Sequence, residues 1–371
     1  MLRKGMSISA AEQRIAMPGG RRTLAARVWG SLEAAEKDCP GKRWIAIHGY
    51  LDNACTYDEL APRMVREGLA TAVICIDMAG HGKSDFKEGY HAIDYVPDVI
   101  FAANSVNWDA FSLLAHSLGG GVAQCAAAAM PQRIARLVVI EALGWWSQES
   151  SAFPHTLATS VHATEARHRG DRSKSAPYAS IEDCAQRRAK MNLVGALPLE
   201  AARILVSRGA KEDPRGGFMW ASDPELLIPS RFRLDEGSVQ AFVSAIRSPM
   251  LLVFAQDGLF RRFAMLGSKP FTARWCITVA GVYGLVCVAH SAAKLIGSKA
   301  TDKIYGQMRP AFWFMVRWLR AGTSTTVMLR EGGHHPHLVR PDDVLQAMVG
   351  WVGTKGKLMS SLGKDALLVK G

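Results

Sequence analysis

Cysteine pairing is the first thing missing from this chain. Its seven cysteines, Cys39, Cys55, Cys75, Cys125, Cys184, Cys276 and Cys287, are odd in number, and none stands in a C-x-x-C pair. That excludes a disulfide framework and points to a reducing compartment. Cys75 and Cys125 lie inside apolar runs, where a thiol behaves as a small core residue. An apolar signal core is also missing. MLRKGMSISAAEQRIAMPGG holds Arg3, Lys4 and Arg14 but no hydrophobic run, so a secretory signal is not expected. The basic, acid-poor stretch weakly resembles a transit peptide, but reads better as a tail leading into a first strand. The closing LLVKG carries no peroxisomal tripeptide. A cytoplasmic protein is expected, with membrane association or a peroxisome as the alternatives.

Long uncharged runs are nearly absent. Cys276–Ala293 offers 18 uncharged residues between Trp275 and Lys294. That is the lower limit for crossing a bilayer, and Thr278, His290 and Ser291 weaken it. A buried or interfacial helix is the preferred reading, so membrane association through 276–293 is open but not favoured. Nucleic-acid motifs are lacking as well. The formal net charge is +12, yet the basic residues read as scattered, and the densest clusters (Arg187, Arg188, Lys190; Arg261, Arg262) are short. No nucleic-acid partner is expected.

What is present is a core. Hydrophobic residues make up 49% of the 371 and charged ones 21%, which suits one large α/β domain, or a core domain carrying an inserted one. Gln13–Ala16 and Thr23–Trp29 flank a Gly-Gly turn and read as a hairpin. Apolar runs Arg43–His48, Ala70–Asp77, Phe111–Ser117 and Arg136–Glu141 read as strands. Between them, Tyr57–Glu67, Pro97–Val106 and Leu118–Met130 read as helices. This alternation predicts a mostly parallel, doubly wound sheet with helices on both faces.

After Glu141 the pattern changes. Gly144–Arg247 is polar, Arg-rich and without a convincing buried strand. It predicts a helical cap over 144–247, inserted into a core formed by 1–143 and 248–371. The sheet pattern resumes at Pro249–Ala255, continues at Thr325–Leu329 and closes with a helix at Pro341–Val352. The 77 residues from Asp257 to His334 exceed what one helix and one strand need, so a helical insertion is expected over 264–322.

The chemistry-bearing segments stand at predicted strand ends. Leu114-Ala115-His116-Ser117-Leu118-Gly119-Gly120 is a G-x-S-x-G turn with Ala in place of the first Gly. A sharp strand-to-helix turn thrusts the serine outward, and large side chains two positions either way would clash. Ser117 is the expected nucleophile. The turn His48-Gly49-Tyr50-Leu51-Asp52-Asn53 is placed to supply a backbone N–H to an oxyanion hole, pairing Tyr50 with Leu118. Asp77-Met78-Ala79-Gly80-His81-Gly82 reads as a tight structural turn. Glu331-Gly332-Gly333-His334-His335-Pro336-His337 follows the last strand, where the base belongs in a Ser…Asp…His chain order, and His334 is the expected base. Three close histidines are also zinc-like, but no Cys, Asp or Glu set at ligand spacing completes such a site, so no metal is expected. The acid has two candidates. Asp257 closes the strand after the cap and is favoured; Glu141, ending an earlier strand, is the rival.

With these segments assembled, the chain resembles the serine hydrolase-like proteins of the α/β-hydrolase superfamily. The resemblance rests on HGYLDNACTYDEL, DMAGHGKSD and HSLGGGVA. It extends to the cap segment LVSRGAKEDPRGGFMWASDPELLIPSRFRL and the ending GGHHPHLVRPDDV. It covers residues 40–260 and 325–352 and omits 264–322. It implies the α/β-hydrolase fold and a hydrolase with Ser117 as nucleophile, His334 as base and Asp257 as acid. The expected activity is acyl transfer from a small ester-type substrate, with no cofactor. Trp145, Trp146, Phe218 and Trp220 of the cap either line an apolar acyl site or pack as core. Two alternatives stand beside it: a non-catalytic member serving binding or membrane association, and a cofactor-free haloperoxidase or acyltransferase using the same triad.

Overall fold

The computed structural model describes residues 8–170, 176–191, 196–259, 273–295, 299, 301, 312–322, 324–353 and 366–370. The strands are β1 (Ala11–Ala16), β2 (Thr23–Gly30), β3 (Arg43–Ile47), β4 (Ala72–Ile76), β5 (Phe111–His116) and β6 (Ile134–Ile140). After them come β7 (Ala210–Glu212), β8 (Phe218–Trp220), β9 (Met250–Ala255), β10 (Ser324–Leu329) and β11 (Ala366–Lys370). Nine of them form one sheet in the order β1-β2-β4-β3-β5-β6-β9-β10-β11. The stretch from β4 to β10 is parallel throughout, while β1, β2 and β11 join antiparallel at the two edges.

Alternation along the strands explains why both faces are covered. Met250, Leu252 and Phe254 of β9 pack into one apolar cluster, and Leu251 and Val253 into the other. Helices α3 (Tyr95–Asn104), α4 (Leu118–Ala129) and α8 (Glu236–Ala245) supply Val99, Val122 and Val243 to the first cluster. Helices α2 (Leu60–Arg66) and α12 (Pro341–Gly353) supply Leu60, Met64, Val344 and Met348 to the second. The chain goes from β3 outward to β4, then back across β3 to β5. That reversal opens a crevice at the carboxyl ends of β3 and β5, where open α/β sheets place their sites.

The cap holds α5 (Phe153–His168), α6 (Ile181–Ala189), α7 (Leu199–Gly209) and α8, and also the β7–β8 hairpin, which was not expected from its polar sequence. Phe218 and Trp220 pack inside the cap against a cluster of Cys184, Ala185 and Val206. Of the expected helical insertion, α9 (Ala273–Leu295) and α10 (residues 312–320) are helical; 264–272, 296–298, 300 and 302–311 lie outside the described residues. No helix among the described residues is long and apolar enough to cross a membrane.

Candidate active site

The elbow takes the conformation its small residues predict. Ser117 lies between β5 and α4 with φ 50° and ψ −116°, a left-handed region that costs any residue with a Cβ. Small neighbours are required by contact. A Cβ on Gly119 would stand 2.5 Å from the Ile47 carbonyl oxygen, and one on Gly121 would stand 2.7 Å from the Trp145 ring. The first turn of α4 is thereby pressed against the end of β3.

The hydroxyl of Ser117 donates to His334 Nε2 at 2.9 Å. The opposite ring nitrogen, Nδ1, donates to Glu141 Oε2 at 3.4 Å. This tautomer satisfies both contacts, since a carboxylate can only accept. Glu141 is fully buried at the residue after β6, with φ 55°. Its Oε1 accepts the Ala255 N–H at 2.7 Å and its Oε2 the Leu259 N–H at 2.6 Å. Gly258 leaves the space: a Cβ there would stand 2.6 Å from both carboxylate oxygens.

The expected pairing of Asp257 with His334 is not what forms. Asp257 lies exposed in the turn beyond β9, and its Oδ1 accepts the Gly333 N–H at 2.9 Å. The strand ends of β6 and β9 are neighbours in register, Ile140 beside Val253, so both carboxylates come near the base loop. Only the one directly on the strand end, with the longer side chain, reaches the ring.

On the oxyanion side, the N–H groups of Tyr50 and Leu118 have no hydrogen-bond partner among the described residues. The Gly49–Tyr50 peptide is held from behind. Met78 N–H donates to His48 Nε2 at 2.9 Å, which leaves the proton on Nδ1 to donate to the Gly49 carbonyl at 2.7 Å. In a trans peptide the carbonyl and the N–H point in opposite directions, so fixing the Gly49 oxygen also fixes the Tyr50 N–H. Burial drives His48 down to about 4, so the ring stays neutral in this role.

Beneath the elbow lies a group that sequence reasoning missed. His116 donates from Nε2 to the His334 carbonyl at 2.6 Å. His335 donates from Nε2 to Asp52 Oδ2 at 2.9 Å, and Arg188 of α6 donates to Asp52 Oδ1 at 2.7 Å. His337 Nε2 meets the Thr56 hydroxyl at 2.8 Å. Burial is the main cause that lowers His116, His335 and His337 and keeps all three neutral. Burial also opposes the charge on Asp52, but His335 and Arg188 outweigh it and hold that carboxyl well below its usual range. Asp52, His116 and His335 place three potential ligand atoms within 4.8 Å of one another. The cation that Asp52 meets there is the Arg188 guanidinium.

The cap is tied to this floor by polar links: Arg188 to Asp52, Asn53 Nδ2 to the Leu205 carbonyl at 2.8 Å, and Tyr50 Oη to the Leu226 carbonyl at 2.6 Å. Trp145 packs on α4 and donates to Cys125 Sγ, and Trp146 is exposed.

Comparison with known proteins finds hydrolase-like relatives. Residues 39–192 match a hydrolase family described as serine aminopeptidase, S33. A serine hydrolase-like protein of Dictyostelium discoideum is 29% identical over 242 residues, covering 62% of this chain and 63% of that protein. The chain thus spans a little under two thirds of that relative's length. A serine hydrolase-like protein of Danio rerio is 25% identical over 267 residues, covering 70% of this chain and 76% of the relative. The crystal structure of a hypothetical protein from Pseudomonas aeruginosa PAO1 superposes with a TM-score of 0.68 at 28% identity, covering 93% of this chain and 99% of that one. The sheet order and these similarities agree: the chain has the α/β-hydrolase fold and is similar to serine hydrolase-like proteins.

Proposed function

We propose that this protein hydrolyses a small ester-type substrate by acyl transfer, with Ser117 as nucleophile, His334 as base and Glu141 as acid. The observation that carries the reading is the 2.9 Å contact of Ser117 Oγ with His334 Nε2, backed by Glu141 on the far side of the same ring. His334 Nε2 takes the hydroxyl proton as Oγ attacks the carbonyl carbon. The Nδ1 proton stays on the ring, and the Glu141 charge stabilises the imidazolium. The oxyanion of the tetrahedral intermediate accepts from the Tyr50 and Leu118 N–H groups. His334 passes its proton to the leaving alcohol, and the acyl group remains on Ser117. Water, deprotonated by His334, then cleaves the acyl-enzyme and restores the serine.

The test is covalent labelling and turnover together. A fluorophosphonate probe should label the wild type, and Ser117→Ala should lose the label and about 10⁶-fold in kcat while melting at the same temperature. Wild-type turnover in a folded Ser117→Ala protein sinks the reading. An unlabelled wild type that cleaves none of a series of acyl esters graded in chain length favours the non-catalytic alternative instead.

A further inference from the structure

The basic residues of this chain read as scattered when only short clusters are sought, but its net positive charge falls mostly in one segment that lacks acids. Residues 260–322 hold ten Lys and Arg against a single acid, Asp302, so a segment of 63 residues carries +9 of the net +12. The same segment contains the uncharged run of α9. Among the described residues the two properties adjoin at the end of α9, where exposed Lys294 and Lys299 follow the run.

α9 is apolar on the side that packs and on the side that does not. Its inner face is closed: Tyr283 stacks on Phe312 of α10 with ring centroids 4.2 Å apart, and His290 is buried. α10 is in turn anchored to the core, through Phe314 on Phe254 and through Arg317, which donates to Glu236 and to the Leu143 and Trp145 carbonyls. The outer face of α9 presents Leu285, 74% exposed, and Val288, 71% exposed, followed by Ala292. A surface helix of a soluble domain ordinarily turns its charged residues outward. Here the outward face carries none from Gly284 to Ala293, and the first charge is the exposed Lys294 at its end, with exposed Lys299 beyond. Leu319, 59% exposed, and Arg320 end α10 in the same manner.

We infer that α9 is a docking face for an anionic lipid bilayer, lying in the headgroup region with its outer face inward and its basic flanks on the lipid phosphates. The apolar face supplies burial and the flanking charges supply attraction to anionic headgroups, the two contributions an interfacial helix combines. The charge decides among occupants. A second copy would bring the same excess of Lys and Arg against the first and be repelled. A nucleic acid would engage the cations and leave Leu285 and Val288 in water. The helix lies on the bilayer rather than crossing it, in keeping with its length and apolarity.

The test is flotation of the full chain with phosphatidylcholine vesicles, with and without phosphatidylglycerol, at low and high salt. The protein should float with the anionic vesicles, less with the neutral ones, and weaken as salt rises. Leu285→Asp with Val288→Asp should lower partitioning at least about ten-fold. Because both side chains already face solvent, that variant should keep its melting temperature and its turnover of a water-soluble ester. Lys294→Gln should lower binding to anionic vesicles about five-fold and leave neutral vesicles unchanged. Failure to float with either vesicle overturns the inference, as does an unchanged partition of the double variant. So does concentration-dependent dimerisation that the double variant abolishes, or retention on duplex DNA without vesicle binding.

Discussion

Two carboxylates stand one and two residues past the ends of neighbouring parallel strands, Glu141 after β6 and Asp257 after β9, and they have opposite surroundings. Glu141 is out of water and receives three N–H groups, from Ala255, Leu259 and the His334 ring. Asp257 is exposed and ties down Gly333, one residue before the base. Burying a charge without partners is expensive, so a carboxylate in the position of Glu141 persists only if every lone pair it turns inward is answered. Its partners are backbone groups that cannot move away, which also fixes the direction in which it faces the imidazole. A carboxylate in water has no such constraint and holds its partner loosely. An orienting acid is therefore expected at the buried strand end.

The largest effect should come from exchanging the charge on Glu141. Glu141→Gln should lower kcat about 10⁴-fold through loss of the correct His334 tautomer. It should also cost about 1–3 kcal/mol of stability, because the amide NH2 must face a backbone N–H that now finds no acceptor. Steady-state kinetics beside a thermal melt separate the two. A smaller loss than that of Asp257→Asn would reverse the comparison.

The buried pair of Asp52 and Arg188 extends it to a carboxylate answered by a cation. Arg188→Met takes the cation from the buried Asp52 and leaves it only the His335 N–H, and should cost about 3–5 kcal/mol of unfolding free energy in denaturant titration. A loss under about 1 kcal/mol would mean that the cap link is surface decoration.

The histidines that stay neutral make acid the next probe. His48 and His81 fall to about 4 and about 3, and His116, His335 and His337 are lowered too, all chiefly by burial. Folded values below the unfolded ones mean that the unfolded chain binds more protons in between. Their contribution is then fully present above about pH 6.5 and lost as pH falls toward the folded values. Each group adds up to about 1.4 kcal/mol per pH unit inside its window. Unfolding free energy measured from pH 7 to pH 4 should therefore decline steeply. A flat profile would show that the cluster takes up protons without cost.

Asp257→Asn should have the smallest effect. The amide oxygen can still accept from Gly333, so kcat should change a few-fold at most and stability by less than about 1 kcal/mol.

The sheet was legible because strand signals are local: apolar runs bounded by turns appear at β3, β4, β5, β6, β9 and β10 within a residue or two of where they form. The meeting of Ser117 with His334 was legible because the elbow and the Gly-Gly-His turn have steric requirements written in small residues. Which carboxylate meets His334 was not, because chain order admits both and only the side-chain contacts separate them. One sign was available. Glu141 is the only charge between Arg136 and Glu149, and a lone acid in an apolar run must either leave the core or be fully answered inside it. The Asp52–Arg188 pair lay beyond reach altogether, since it joins residues 136 positions apart through the docking of the cap. The β7–β8 hairpin escaped notice for another reason: three-residue strands carry too little periodicity to register.

Glu141 precedes both additions to the sheet, the cap and the segment between β9 and β10. The groups proposed for catalysis therefore sit on β3, β5, β6 and the turn after β10, and none belongs to either added segment. The accessory parts are in this sense exchangeable cartridges. A relative's segment spliced in place of residues 260–311 has only to leave α10 on the core and return the chain to β10 beside β9. The proposed docking face could then be exchanged while the groups proposed for catalysis keep their places on the sheet.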